Sequence, residues 1–142
     1  AALHEIVPSG RLYEQPAGRW SIAQNAGHLA DVEELWEQRL EDLRLGRATY
    51  TPARPDHFAE LAKRHQAREA AEIVAELRRR RGAFVAALES AGPELQTRSA
   101  YHERLACPMR LVDCAQFVAE HDDHHLLRIR AIAWPSKLSP QA

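Results

Sequence analysis

Three long stretches of the chain repeat their apolar side chains with the period of an α-helix, and glycine or proline follows each of them. The stretches are residues 21–45, 68–90 and 111–134. Apolar positions spaced three and four residues apart predict amphipathic helices that each bury one face. At a rise of 1.5 Å per residue, each helix is about 35 Å long. Helices of similar length that each need a buried face predict a helical bundle.

The amino-acid composition favours the same class. Ala and Leu supply 41 of the 142 residues, whereas Val, Ile and Thr supply only 14. Helix-forming residues therefore far outnumber those that prefer strands. We expect an all-α fold, a four-helix bundle forming a single domain over residues 1–142. Its first helix is short or truncated, because only Ala1–Val7 precede the break at Pro8.

Charge and hydropathy patterns exclude several classes of protein. The 19 Lys and Arg nearly balance the 20 Asp and Glu, so no overall positive field attracts nucleic acid. Arg78–Arg81 wrap a full helical turn and predict a solvated surface rather than a one-sided basic stripe. No stretch reaches the roughly 18 apolar residues of a membrane span, and no signal segment is visible. We therefore expect a cytoplasmic protein with no nucleic-acid or membrane partner.

A dense group of histidines lies in the middle of the last predicted helix. His121 and His125 are four residues apart, so they share one helical face and direct two imidazoles toward one point. That face is the apolar one, and His28 occupies the apolar face of the first long helix. Burying each of these rings without a hydrogen-bond partner costs about 2 kcal/mol or more. One divalent cation held by three neutral imidazoles satisfies all of them.

The same pattern also fits three separate core histidines, each hydrogen-bonded to a carbonyl or carboxylate oxygen, and spacing alone does not decide between the two interpretations. His124 lies around the helix from its neighbours and is a helper or a surface residue. The remaining histidines lie in predicted loops or exposed segments, where a surface position is the default. They are His4, His57, His65 and His102.

Short motifs in a fixed order then carry a family resemblance that covers residues 11–134. The chain resembles the DinB/YfiT family through the following segments: Trp20-Ser21-Ile22, Gly27-His28-Leu29-Ala30, Met109-Arg110-Leu111-Val112-Asp113 and Phe117-Val118-Ala119-Glu120-His121-Asp122-Asp123-His124-His125-Leu126. The resemblance implies a four-helix bundle with up-down-down-up connectivity and a divalent transition metal, zinc or nickel, between the helices. The family's metal-binding histidines match His28, His121 and His125.

The resemblance also implies a class of activity. Family members often form homodimers and act on small molecules; some are transferases or isomerases that use a low-molecular-weight thiol, and others resemble metal-dependent hydrolases. Two hypotheses follow. The protein is a metal-dependent enzyme that activates water or a thiol, or it is a non-catalytic, stress-associated bundle in which the metal only ties helices together. A metal-free helical interaction module is a third, weaker possibility.

Two further residues are candidates for roles around the metal. Arg128, one turn after His125, stands where relatives frequently have Gln; it either binds an anionic substrate or forms a salt bridge outward, and we favour the salt bridge. Asp31, one turn after His28, either orients an imidazole or is an ordinary surface charge, and we favour the surface charge. Asp122 gives a His-Asp-x-x-His pattern, which is close to the His-Glu-x-x-His motif of the zincin metalloproteases. Too little chain follows to supply the further metal ligand that those enzymes need.

Overall fold

The computed structural model describes residues 9–135, which are mostly helical. The helices are α1 (Ile22–Asp31), α2 (Glu33–Arg44), α3 (Pro55–Arg64), α4 (Ala70–Glu89), α5 (Pro93–Thr97) and α6 (Leu111–Ala133), and two short strands, β1 (Ser99–His102) and β2 (Cys107–Arg110), lie before α6. The predicted all-α class and the two later long helices are confirmed. The predicted helix Ala1–Val7 lies outside the described residues.

The first predicted long helix begins as expected but is divided in two. Ser21 and Gln24 form a capping box, in which the Gln24 amide donates to Ser21 Oγ at 3.1 Å and the Ser21 amide donates to Gln24 Oε1 at 3.0 Å. At Val32 the backbone ψ angle is −13°, and the chain makes a turn between α1 and α2. The prediction of a single helix over residues 21–45 was therefore wrong at this position. The Leu35 amide donates to the Val32 carbonyl oxygen at 3.0 Å, a tighter i to i+3 bond that apolar periodicity does not detect.

Residues 93–109, which lie between two of the predicted long helices, contain regular structure that the sequence analysis did not anticipate. It holds the short helix α5 and an antiparallel hairpin in which Ser99 pairs with Arg110 and His102 with Cys107. The connecting residues include Ala106 at φ 52°, a left-handed conformation that closes the turn. Strands of only four residues leave too little alternation to be recognised in the sequence.

Helix α1 occupies the centre of the molecule and packs against α3, α4 and α6. Its first turns join a buried apolar cluster with the ends of α4 and α6, and α2 belongs to a second cluster with Phe84, Met109 and Val118. Every residue of α1 is buried, so a polar side chain on this helix must find its partners within the protein. None of the helices in residues 9–135 combines the length and apolarity needed to cross a lipid bilayer.

Candidate metal centre

Three histidines from two helices meet inside the molecule. His28 comes from α1, and His121 and His125 come from α6. One ring nitrogen from each lies within 4.8 Å of the others, and the Nε2 atoms of His28 and His121 are 3.3 Å apart. His28 and His125 are buried, and His121 is partly buried. The structure thus brings together the three imidazoles that the sequence pattern singled out.

Asn25 sets the orientation of one of these rings. Its side-chain amide nitrogen donates to the carbonyl oxygens of Trp20 at 3.2 Å and Ser21 at 2.8 Å, which leaves Oδ1 as an acceptor. This oxygen is 2.8 Å from Nδ1 of His125, so Nδ1 carries the hydrogen and donates. The lone pair of the neutral ring is then on Nε2, the pattern found in histidine ligands of metals. The sequence analysis did not assign Asn25 this role.

Aromatic rings surround the cluster. Trp20 stacks on His125 with ring centroids 6.0 Å apart and an angle of 19° between the planes. Phe58 meets the His28 ring edge-on at 5.7 Å, and Trp36 meets the His121 ring at 5.5 Å. Aromatic side chains therefore form part of the wall around the imidazoles.

Burial changes the protonation of the cluster. Desolvation, followed by the neighbouring histidines, lowers the pKa of His28 to about 4. The same causes lower the pKa of His125 to about 3. Both rings are therefore neutral at pH 7, and neutral imidazole is the form that binds metals.

The donor set and its spacing fit a transition metal. Two imidazole nitrogens bound to tetrahedral zinc at ~2.0–2.1 Å lie about 3.3 Å apart, and the Nε2 atoms of His28 and His121 have that separation. Imidazole suits zinc, nickel, copper and iron, whereas calcium and magnesium prefer oxygen ligands. Three protein ligands leave a coordination position open, as in catalytic rather than structural zinc sites.

A cavity of about 530 Å³ opens onto the cluster. The three histidines contribute to its wall together with aromatic side chains, and His124, exposed beside His125, contributes at the rim. Cavities of roughly 300–1,000 Å³ accommodate small organic molecules. The open coordination position and a space for a small molecule are therefore adjacent.

Asp31 is not a surface charge. Its side chain is fully buried and bonds to Arg64 and to Nε2 of His65, the latter at 2.9 Å. The expectation of a surface position for His65 was also wrong, because its side chain is fully buried. His65 lies against α1 where Gly27 leaves room for the ring. Asp31 thus anchors the end of α3 to α1, and it makes no hydrogen bond to His28.

The pairing of Asp31 predicts a pH-dependent stability. Hydrogen bonds from His65 and Arg64 outweigh desolvation and hold the pKa of this carboxyl below its usual value near 3.8. A lowered folded-state pKa stabilises the protein above the unfolded-state pKa, and this contribution disappears as the pH falls through the folded-state value. We expect Asp31→Asn to lower the free energy of unfolding by about 2 kcal/mol at pH 7. The difference from the wild type should shrink below pH 4.

Urea unfolding of both proteins between pH 7 and pH 3 measures this difference. Asp56→Asn, at an exposed position near the start of α3, is the control and should change stability little at any pH. A difference between Asp31→Asn and the wild type that stays constant across this range would contradict the pairing.

Arg81 departs from the solvated surface expected for Arg78–Arg81. Its guanidinium donates to Glu33 Oε1 at 2.7 Å through Nε and binds both carboxylate oxygens of Asp122. The side chain of Glu33 is fully buried, so the ion pair compensates a charge that water cannot reach. Arg81 links α4 to α2 and α6, and Asp122 serves this link.

Arg128 and His102 also differ from their expected surroundings. Arg128 is exposed at the rim of the cavity, and none of the ion pairs formed within residues 9–135 includes it, so the favoured salt bridge is absent there. His102, expected at the surface, is only 4% exposed and lies in the cavity wall. It belongs to the hairpin that sequence reasoning missed. His57 is exposed as expected, and His4 lies outside the described residues.

A helical bundle with three histidines converging below an open cavity defines the class of this protein. The chain belongs to the DinB superfamily, whose family model matches residues 1–129. Among solved structures, YfiT from Bacillus subtilis is similar, with a TM-score of 0.78 and 21% sequence identity over 96% of this chain and 78% of that one. YfiT is described as a probable metal-dependent hydrolase with an unusual four-helix bundle topology. A search of curated proteins found no match.

Proposed function

We propose that this protein is a metal-dependent enzyme acting on a small molecule, with one divalent transition metal held by His28, His121 and His125. The observation that supports it best is the set of three ring nitrogens within 4.8 Å of one another at the wall of a 530 Å³ cavity. Zinc and nickel are the first candidates for the metal. When bound, such a cation acts as a Lewis acid that favours the deprotonation of water or a thiol.

The side chains around the cluster have separate tasks in this proposal. Asn25 fixes the His125 tautomer so that Nε2 keeps its lone pair. Trp20, Phe58 and Trp36 pack against the imidazoles and hold their positions.

The cavity also favours an enzyme over the alternative of a non-catalytic, stress-associated bundle with a structural metal. Structural zinc sites are closed by four protein ligands. Within residues 9–135 the group of potential metal ligands contains three histidines, and a space for a small molecule adjoins them. The description of YfiT as a probable metal-dependent hydrolase supports the same choice.

Metal analysis and an activity screen test the proposal together. The protein, purified without chelator, should contain one transition metal per chain by mass spectrometry. It should then be screened against ester, amide and electrophilic substrates, with and without a low-molecular-weight thiol, because thiol dependence separates a transferase from a hydrolase. Absence of bound metal after incubation with zinc and nickel would contradict the proposal. A homodimer, implied by the family resemblance, and a location in the cytoplasm, expected from the sequence, are also part of the proposal.

Asn25 provides a prediction about metal affinity. Asn25→Leu removes the acceptor for His125 Nδ1, so the ring loses its fixed tautomer and orientation. We expect zinc affinity to fall about 10- to 100-fold, the usual cost of losing such a supporting hydrogen bond. Competition with a fluorescent zinc chelator measures the change. Gln38→Leu, at an exposed position on α2 outside the cavity wall, is the control, and an affinity loss shared by both variants would contradict a specific role for Asn25.

A further inference from the structure

A buried arginine lies in the wall of the same cavity without a negatively charged partner. Arg39, on α2, is only 6% exposed. Its Nε donates to the Thr51 carbonyl oxygen at 3.1 Å, and its Cζ lies 5.4 Å from the ring centroid of Trp36 and 6.0 Å from that of Phe117. Among the ion pairs between side chains of residues 9–135, none includes Arg39.

The acidic residue one turn away on the same helix is already engaged. Asp42 binds Arg47 Nη1 through Oδ1 at 2.8 Å and accepts a hydrogen bond from the Thr51 amide through Oδ2 at 2.6 Å. The side-chain hydrogen bond of Arg39 uses Nε. Its two terminal nitrogens are not closed off from solvent, so they reach the cavity that the residue lines. Contacts with two aromatic faces offset only part of the cost of burying a guanidinium.

His102 lies near Arg39 in the cavity wall and carries no negative charge. Its Nδ1 accepts a hydrogen bond from the Leu105 amide at 3.3 Å, so the hydrogen of the neutral ring is on Nε2. That nitrogen has no hydrogen-bond partner among the described residues and is closed off from the cavity, so His102 is a neutral residue of the wall and not a ligand for an anion. The His102 ring lies 5.5 Å from Phe117, the ring that Arg39 also contacts. Burial and the charge of Arg39 lower the pKa of His102, which keeps the ring neutral.

We propose that Arg39 binds a carboxylate of the substrate. The guanidinium fork matches a planar carboxylate with two parallel hydrogen bonds. Charges at the cavity wall favour an anion as well, since Arg104 and Arg128 accompany Arg39 and the acidic residue in the wall is Glu103. The placement of the substrate's reactive group near the histidines rests on the proposed function. The carboxylate site itself does not depend on a metal.

Trp36 connects this site with the metal centre. Its ring centroid is 5.4 Å from Arg39 Cζ and 5.5 Å from the centroid of the His121 ring. Both groups line one cavity, so a small molecule can contact them at the same time. The substrate class is then a small organic acid whose carboxylate is held at Arg39 while its reactive group lies near the three histidines.

Binding of phenylacetate and its neutral analogue phenylacetamide tests the inference. The two probes share an aromatic ring suited to the cavity and differ in charge. We expect wild-type protein, metal-free and zinc-loaded, to bind phenylacetate about tenfold more tightly in calorimetric titrations. Arg39→Met should abolish this preference without changing zinc stoichiometry. Arg44→Met is the control, because Arg44 is exposed on the same helix, pairs with Glu41 and lies outside the cavity wall.

Equal affinities of the two probes for wild-type protein would overturn the inference. This comparison uses only the wild-type protein, so it does not depend on whether a variant folds. A preference confined to zinc-loaded protein would also overturn it, because the carboxylate would then bind the metal. So would tighter binding of phenyl phosphate than of phenylacetate. The inference would also be overturned if a folded Arg39→Met or Arg39→Lys protein still bound phenylacetate more tightly than phenylacetamide. Carboxylate preference in a protein that binds no metal would support this site while contradicting the proposed function.

Discussion

Alanine in place of His28 is expected to abolish metal binding, with the metal content falling from one atom per chain to less than about a tenth of that. Two imidazoles on one helix remain, and loss of one of three ligands leaves a site with little ability to retain the cation. His28 is the ligand that α1 contributes, and its Nε2 is 3.3 Å from that of His121. Mass spectrometry and inductively coupled plasma analysis after gel filtration measure the change.

The matched control for this experiment is His124→Ala. His124 adjoins His125 and lines the same cavity, but it is exposed and is not part of the three-histidine group. It should retain a full complement of metal. Equal metal loss in both variants, or full retention in His28→Ala, would contradict a centre built on His28, His121 and His125.

Thermal unfolding of the same variant separates the two roles for the metal. If the cation serves catalysis, His28→Ala loses activity while its helical circular dichroism and much of its thermal stability persist. If the cation only ties α1 to α6, the melting temperature falls sharply along with the metal, since binding energy is then folding energy. The buried apolar cluster that joins α1 to α4 and α6 does not depend on the metal, so we expect the first result.

The parts of the fold that the sequence predicts well are those with long-range regularity. Periodic apolar positions over twenty or more residues defined α4 and α6 to within a few residues, and the i, i+4 spacing placed His121 and His125 on one face. His28 was recognisable because it interrupts an apolar stripe. In each case, the spacing of residues along one helix is enough to predict the feature.

The missed features depend on contacts between distant segments. His65 and His102 belong to segments without a clear period, and each is buried only because another element covers it. Asp31 and Arg81 acquire their partners from other helices. The local sequence around such residues is the same whether they face water or another helix, so only the packed structure distinguishes these surroundings.

Gly27→Ala is the substitution that we expect to destabilise the fold most directly. A Cβ at this position would lie 2.2 Å from Cγ and 2.4 Å from Nδ1 of the His65 ring, far inside van der Waals contact. The ring cannot easily move, because His65 is fully buried and its Nε2 is held by Asp31 at 2.9 Å. Overpacking against a fixed group costs about 3 kcal/mol. Urea unfolding at pH 7 should show this loss.

Gly82→Ala is the matched control for the effect of glycine itself. Gly82 lies within α4, and a Cβ there would meet nothing within 4 Å. Alanine at this position should therefore raise stability by about 0.5–1 kcal/mol through helix propensity alone. The double variant Gly27→Ala, His65→Ala removes the clash and should be more stable than the sum of its single variants predicts. Stability of Gly27→Ala equal to that of wild type would show that α1 and His65 are not packed against each other as described.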